Sequence, residues 1–278
     1  MLELCQRHIY KEVFIIMKTN FKRCLLCFCC LILALPILTV SASALTTKTF
    51  KGDPWNYIEI YAEDSEYVVP NTVIIYLHGD CHAGSHHIED LEQLALTEHP
   101  YNYAKRKILP LPDDVLMVCP QNHSDGEFLR KHEKLYEFIH GYAEKYPDAT
   151  IILGGHSRGG MTSYFVADKG NEDIDGYFFI STKKPEEAEQ LNLMQNAFVA
   201  YGSADNVYRR HYFSNLFFFF DITEKQYAQE TQIWDEITNN VYYVGPWEHG
   251  NAPLVILEDT FWEWISTFPI SNLDDSSV

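Results

Sequence analysis

Ile151-Ile152-Leu153-Gly154-Gly155-His156-Ser157-Arg158-Gly159-Gly160 is the stretch from which the rest of the chain can be placed. An apolar run from Ala149 to Leu153 leads into a turn crowded with glycine, and Met161 to Asp168 can continue as a helix. Within this strand–turn–helix corner, Gly155-His156-Ser157-Arg158-Gly159 has the spacing G-x-S-x-G. A serine on so tight a corner has a strained backbone, and residues without Cβ are needed two positions to either side. The corner lifts the Ser157 hydroxyl above the sheet edge. It also aims the next amide, that of Arg158, and the helix N-terminus at the place where an oxyanion would form. The bland alternative is a glycine-rich turn in which Ser157 has no chemistry. The strand before it and the helix after it argue against that.

Further strands lie on both sides of this corner. Tyr57 to Ala62 alternates and suits an edge strand, whereas Thr72 to Leu77 is a continuous β-branched run, as in a strand covered on both faces. Val115 to Cys119, Gly176 to Ser181, Ala197 to Tyr201 and Val241 to Val244 complete the strand series. Helical patterns fall between them: Ile88 to Lys107, whose second half Pro100 puts in question, Glu127 to Tyr146, Glu224 to Ile237 and Thr260 to Phe268. Strands alternating with helices predict an α/β fold, a mostly parallel sheet flanked by helices in three layers with right-handed crossovers. The connection from Thr182 to Asn196 is too short for a large cap domain. The segment Tyr208 to Asp221, with four consecutive phenylalanines at 217–220, is either core or a hydrophobic wall beside a substrate.

The first 44 residues read as an export leader rather than as part of the fold. Lys18, Lys22 and Arg23 precede an apolar run from Cys24 to Val40, and Ala42-Ser43-Ala44 places small residues at the positions a signal peptidase needs. Met17 is a candidate true start. The lesser alternative is an uncleaved membrane anchor, since the run is at the lower limit for spanning. Cleavage after Ala44 would leave residues 45–278 as one secreted domain. The chain of 278 residues carries a net charge of −18. The leader holds five bases and two acids, so its removal makes the remainder more acidic still. Such a surface argues against a nucleic-acid partner and against stable association with an anionic membrane.

A serine nucleophile needs a base, and the base needs an acid to orient it. His249, in Trp247-Glu248-His249-Gly250 just after the strand at 241–244, is placed for the base. His156 lies inside the turn and should point away from its own serine, and His211 has no strand before it. Asp205, in the loop after Ala197 to Tyr201, is placed for the acid, with Asp221 as a weaker candidate. Asp175 precedes its strand and so belongs at the wrong end of the sheet.

These features together resemble the α/β-hydrolase family. The G-x-S-x-G corner matches that family's nucleophile elbow, His78-Gly79 after an early strand matches its His-Gly motif, and the order Ser157, Asp205, His249 matches its triad order. The resemblance implies catalytic roles for those three residues and an oxyanion hole built from the amides of Arg158 and Asp80. It implies a serine hydrolase acting on esters through an acyl-enzyme, with no cofactor. A serine peptidase, or a non-catalytic binding module on the same scaffold, are the alternatives. The substrate expected is a small-molecule ester or an acylated polymer, reached through an open site. One departure stands out: the residue after His78-Gly79 is an aspartate, whose carboxylate would oppose an oxyanion unless it turned outward. Cys81 is the alternative donor.

The loop from His78 to Asp90 also holds His82, His86 and His87. Zinc held by His82, His86 and Asp90 is conceivable, but the spacing is loose and no second ligand pair accompanies it, so no metal is expected. Five of the seven cysteines lie in the leader, leaving Cys81 and Cys119. The family's strand order would put both at one edge of the sheet, where export permits a disulfide; the other outcome is two free thiols.

Overall fold

The computed structural model describes residues 45–62, 69–80, 100–122, 126–182, 196–202, 204–205 and 241–269. All of them fall in one compact unit, Ser43–Val278. The leader, the histidine-rich loop with Cys81, the interior of the 182–196 connection, and the stretch carrying His211, the 208–221 aromatics, Asp221 and the expected helix at 224–237 lie outside the described residues.

Among the described residues, eight strands form one sheet: β1 (Leu45–Phe50), β2 (Tyr57–Ala62), β3 (Thr72–Leu77), β4 (Val115–Pro120), β5 (Thr150–His156), β6 (Gly176–Ile180), β7 (Ala197–Gly202) and β8 (Val241–Gly245). Their spatial order is β1-β2-β4-β3-β5-β6-β7-β8. β1 with β2 and β2 with β4 are antiparallel, and every later pair is parallel. The parallel strands therefore all deliver their carboxyl ends, and the loops that follow them, to one edge.

Alternation along the strands splits the core in two. Val73, Ile75 and Leu77 of β3, with Ile151 and Leu153 of β5, face a layer that includes Phe128, Leu135, Ile139 and Val166. Ile74 and Tyr76, with Ile152 and Phe178, face the opposite layer, where Tyr103, Val255, Phe261 and Trp264 pack. The helices supplying the first layer are α2 (Glu127–Arg130), α3 (His132–Lys145) and α4 (Arg158–Lys169). The second is built by α1 (Pro100–Lys105), the 3-10 segment His249–Leu257 and α5 (Asp259–Ile265). The result is the expected three-layer arrangement. Among the described residues no helix is long and apolar enough to cross a membrane.

Several local expectations are corrected. β2 is not an edge strand, because β1 pairs along its whole length, from Leu45 opposite Ala62 to Phe50 opposite Tyr57. Pro100 does not abolish the second half of the expected helix, since Pro100–Lys105 is helical; residues 81–99 before it lie outside the described residues. The helix expected over 127–146 is two helices, interrupted at Lys131, whose φ of −109° and ψ of 34° leave the helical region.

Cys119 is a free thiol rather than half of a disulfide. It sits in β4 opposite Ile58 of β2 and packs into the second core layer with Met117 and Ile60, so its side chain is apolar filling. Burial also pushes the thiol pKa up, which suppresses the thiolate that alkylating reagents need. Iodoacetamide should therefore leave Cys119 unmodified in the native protein and modify it in 8 M urea, as read by mass spectrometry of the peptide containing it. Rapid native alkylation would contradict this packing.

Candidate active site

The corner at Ser157 has the strain that its glycines suggest. Ser157 itself holds φ 52° and ψ −115°, a left-handed conformation that a side chain rarely adopts. Two bonds hold it there: its N–H donates to the Ile180 carbonyl of β6 (2.9 Å), and its carbonyl accepts from the Met161 N–H in α4 (2.9 Å). The flanking glycines are required by β3. A Cβ on Gly155 would lie 2.0 Å from the Leu77 carbonyl oxygen, and one on Gly159 would lie 2.1 Å from the same atom.

Three side chains from three loops meet at this corner. His249 Nε2 lies 2.9 Å from Ser157 Oγ, and His249 Nδ1 lies 2.8 Å from Asp205 Oδ2. The carboxylate can only accept, so Nδ1 carries the proton and Nε2 is the acceptor facing the serine hydroxyl. Asp205 is fully buried and His249 is 8 % exposed. The two loops are also tied together through their backbones, since the Ala204 N–H donates to the Trp247 carbonyl (3.0 Å). Asp175, as expected, sits at the other end, accepting from the Ile151 N–H at the entry of β5 (2.8 Å).

His156 packs against His249 itself. Its Nε2–H donates to the backbone carbonyl of His249 (2.8 Å), and the two rings lie 4.7 Å apart. Nothing in the spacing of the sequence signals this contact, because the partner lies 93 residues away and is a backbone atom.

The turn after β3 is fastened by side chains. His78 Nε2 accepts from the Asn122 N–H (2.9 Å), so the ring proton is on Nδ1, which donates to the Gly79 carbonyl (2.7 Å). Burial lowers the His78 pKa, because a charged imidazole would lose its hydration there. The Asp80 carboxylate is turned onto the Gly126 N–H and the Arg158 guanidinium. Cys81, the alternative amide donor, lies outside the described residues. A separate cavity of about 200 Å³ lies by the amino ends of β3 and β4, lined in part by Lys48, Glu59, Pro70, Val115 and Lys145, away from Ser157. Among the described residues there is no cluster of three metal-ligating side chains, and the histidines at 82, 86 and 87 and Asp90 lie outside them.

The neutral state of His78 carries a pH dependence. Its folded pKa is below the ordinary value of about 6.5, so the unfolded chain takes up a proton first as pH falls. The stabilisation is complete above the unfolded pKa and is lost as pH drops below it toward the folded one. His78→Gln should be less stable than the parent at pH 7.5, and the gap between them in urea midpoint should narrow at pH 5. A gap that is constant or widens in acid would refute a neutral buried His78.

No protein-family model matches the chain, and no curated protein sequence matches it. Solved structures do. A thermostable esterase superimposes over 81 % of this chain with a TM-score of 0.52 and 14 % identity, and this chain spans 63 % of its length. A serine hydrolase involved in carbazole degradation matches 81 % of this chain and 100 % of its own, with a TM-score of 0.49 and 12 % identity. A CIB-like hydrolase from Thermoplasma acidophilum matches 80 % and 96 %, with a TM-score of 0.45 and 14 % identity.

Proposed function

We propose that this chain, which has the α/β-hydrolase fold, is a serine hydrolase acting on carboxylic esters. The observation that carries this reading is the continuous hydrogen-bonded chain from Ser157 through His249 to a fully buried Asp205, at 2.9 and 2.8 Å. Ser157 Oγ attacks the ester carbonyl carbon while His249 Nε2 takes the hydroxyl proton. The Asp205 carboxylate, bonded at Nδ1, holds the ring in the tautomer that can accept it and offsets the imidazolium charge. The developing oxyanion is held by the backbone amides of Arg158 and Asp80. His249 then returns the proton to the departing alcohol, leaving an acyl-Ser157. Water, deprotonated by the same imidazole, releases the acid in a second pass. No cofactor is needed, since every proton and electron pair moves between protein, substrate and water.

The substrate we propose is a small or medium ester, or an acyl group on a polymer, met outside the cell after removal of the leader at Ala44.

A fluorophosphonate probe tests the reading directly. It should label the wild-type protein at the peptide containing Ser157, label Ser157→Ala not at all, and label His249→Ala far more slowly. A series of p-nitrophenyl esters of increasing chain length then locates the preferred acyl group. Absence of labelling at any pH would turn the reading toward a binding module. Activity that appears only above the micelle threshold of the substrate would overturn the preference for small soluble esters.

A further inference from the structure

Asp80 occupies the place where the sequence departs from the expected His-Gly pattern, and its carboxylate joins three separate segments. Oδ1 accepts from the Gly126 N–H at the start of α2 (2.9 Å). Oδ2 accepts from Arg158 Nε in the first turn of α4 (3.1 Å). Its own backbone belongs to the turn after β3, which His78 fastens to the end of β4 through Asn122. Gly126 holds φ 64°, a left-handed conformation natural to glycine, and it presents its N–H to the carboxylate from there.

The two members of this ion pair are the two residues whose backbone amides are assigned above to the oxyanion. An exposed pair typically contributes at most about 1 kcal/mol to stability and is expendable. This one differs in two respects. The Asp80 side chain is only 20 % exposed, against 43 % for Arg158, and it has a second, backbone donor that fixes its direction. Displacing the carboxylate therefore displaces the turn that carries an amide, and removing its cation leaves a negative charge beside the site where another must form.

We propose that the Asp80–Arg158 ion pair is a positioning device for the oxyanion hole: it locks the turn after β3 to the start of α4 and neutralises the carboxylate that the aspartate brings. The inference rests on the serine-hydrolase reading. It assigns no contact with substrate to either side chain.

The test uses purified full-length mature protein and four forms: wild type, Arg158→Gln, Asp80→Asn, and the double variant. Each is measured for kcat and KM on p-nitrophenyl acetate, for inhibition by a trifluoromethyl ketone that mimics the tetrahedral intermediate, and for urea midpoint. Arg158→Gln should lower kcat by about 10–100-fold, less than the roughly 10²–10³-fold set by outright loss of an oxyanion donor, with KM nearly unchanged. Its affinity for the trifluoromethyl ketone should fall by a similar factor. Asp80→Asn, which keeps an acceptor for Gly126 but no charge, should lose less. The double variant should be more active than Arg158→Gln alone, because the unneutralised carboxylate has gone. A purely structural pair predicts losses that follow the urea midpoint and add in the double variant, and that result overturns the proposal. So does a change confined to KM. If Arg158→Gln does not fold, Asp80→Asn decides: unchanged kcat and inhibitor affinity in that variant also overturn it. A wild-type protein that is inactive and unlabelled by fluorophosphonate sinks the serine-hydrolase reading and this inference with it; an active wild type with unaffected variants sinks this inference alone.

Discussion

Replacing Ser157 or His249 by alanine should lower kcat by about 10⁴–10⁶-fold, and replacing both should lower it little further. The reason is that both act in one step of the proposed mechanism. Without the hydroxyl there is no nucleophile for the imidazole to activate, and without the imidazole the hydroxyl keeps its proton at the start of the attack. Asp205→Asn should cost about 10⁴-fold. An amide presents either an N–H or a weaker acceptor to Nδ1, so the ring is no longer held with its proton on that nitrogen. Because Asp205 is fully buried and bonded at 2.8 Å, the substitution should also cost stability, so activity must be compared at a temperature where both proteins are folded. Near-full esterase activity in Ser157→Ala would end the serine-hydrolase reading. A silent Asp205→Asn would leave that reading standing and move the search for the acid to Asp221.

Gly155→Ala should destabilise the protein by about 3 kcal/mol or more. The added Cβ would lie 2.0 Å from the Leu77 carbonyl oxygen and 2.9 Å from its carbon. That obstacle is backbone of the neighbouring strand, where Leu77 pairs with Gly155 in register, so no rotamer change relieves the clash. β3 and β5 must separate, in the centre of the sheet and beside Ser157. Gly141 provides the control. It lies on the exposed side of α3, and a Cβ there would meet nothing within 4 Å. Gly141→Ala should therefore stabilise by about 0.5–1 kcal/mol through helix propensity alone. Urea unfolding of the two variants checks both; equal midpoints would refute the packing argument.

What the chain discloses in one dimension depends on how local its cause is. Thr72 to Leu77 is a run of β-branched and apolar residues with no competing pattern, and it is β3 residue for residue. β1 carries no such signal, because Leu45-Thr46-Thr47-Lys48-Thr49-Phe50 alternates weakly and has no fully buried residue; its conformation comes from pairing with β2. The 3-10 segment His249–Leu257 is apolar, contains Pro253 and lacks helical periodicity, so only packing beneath β7 and β8 accounts for it. At the site, strand–loop order is enough to expect Ser157, His249 and Asp205 near one another, since parallel strands send successive loops to one edge. The seating of the Asp80 carboxylate on Gly126 and Arg158 is not legible in the sequence, because those partners lie 46 and 78 residues further along the chain. The same holds for His156, whose partner is a carbonyl oxygen.

The spacing of the site along the chain also sets when it can exist. The bond between Ser157 and His249 spans 92 residues, and that between His249 and Asp205 spans 44. Contacts this distant form only after the intervening loops have closed, and folds rich in them assemble slowly. A ribosome or an export channel delivers the chain amino end first, so β3 and β5 can pair while β8 is still missing. Throughout that interval Ser157 lacks its proposed base. On the proposed mechanism the nascent chain stays chemically silent until His249 arrives, and a truncated product that stops short of residue 249 would carry the nucleophile corner without an activated nucleophile.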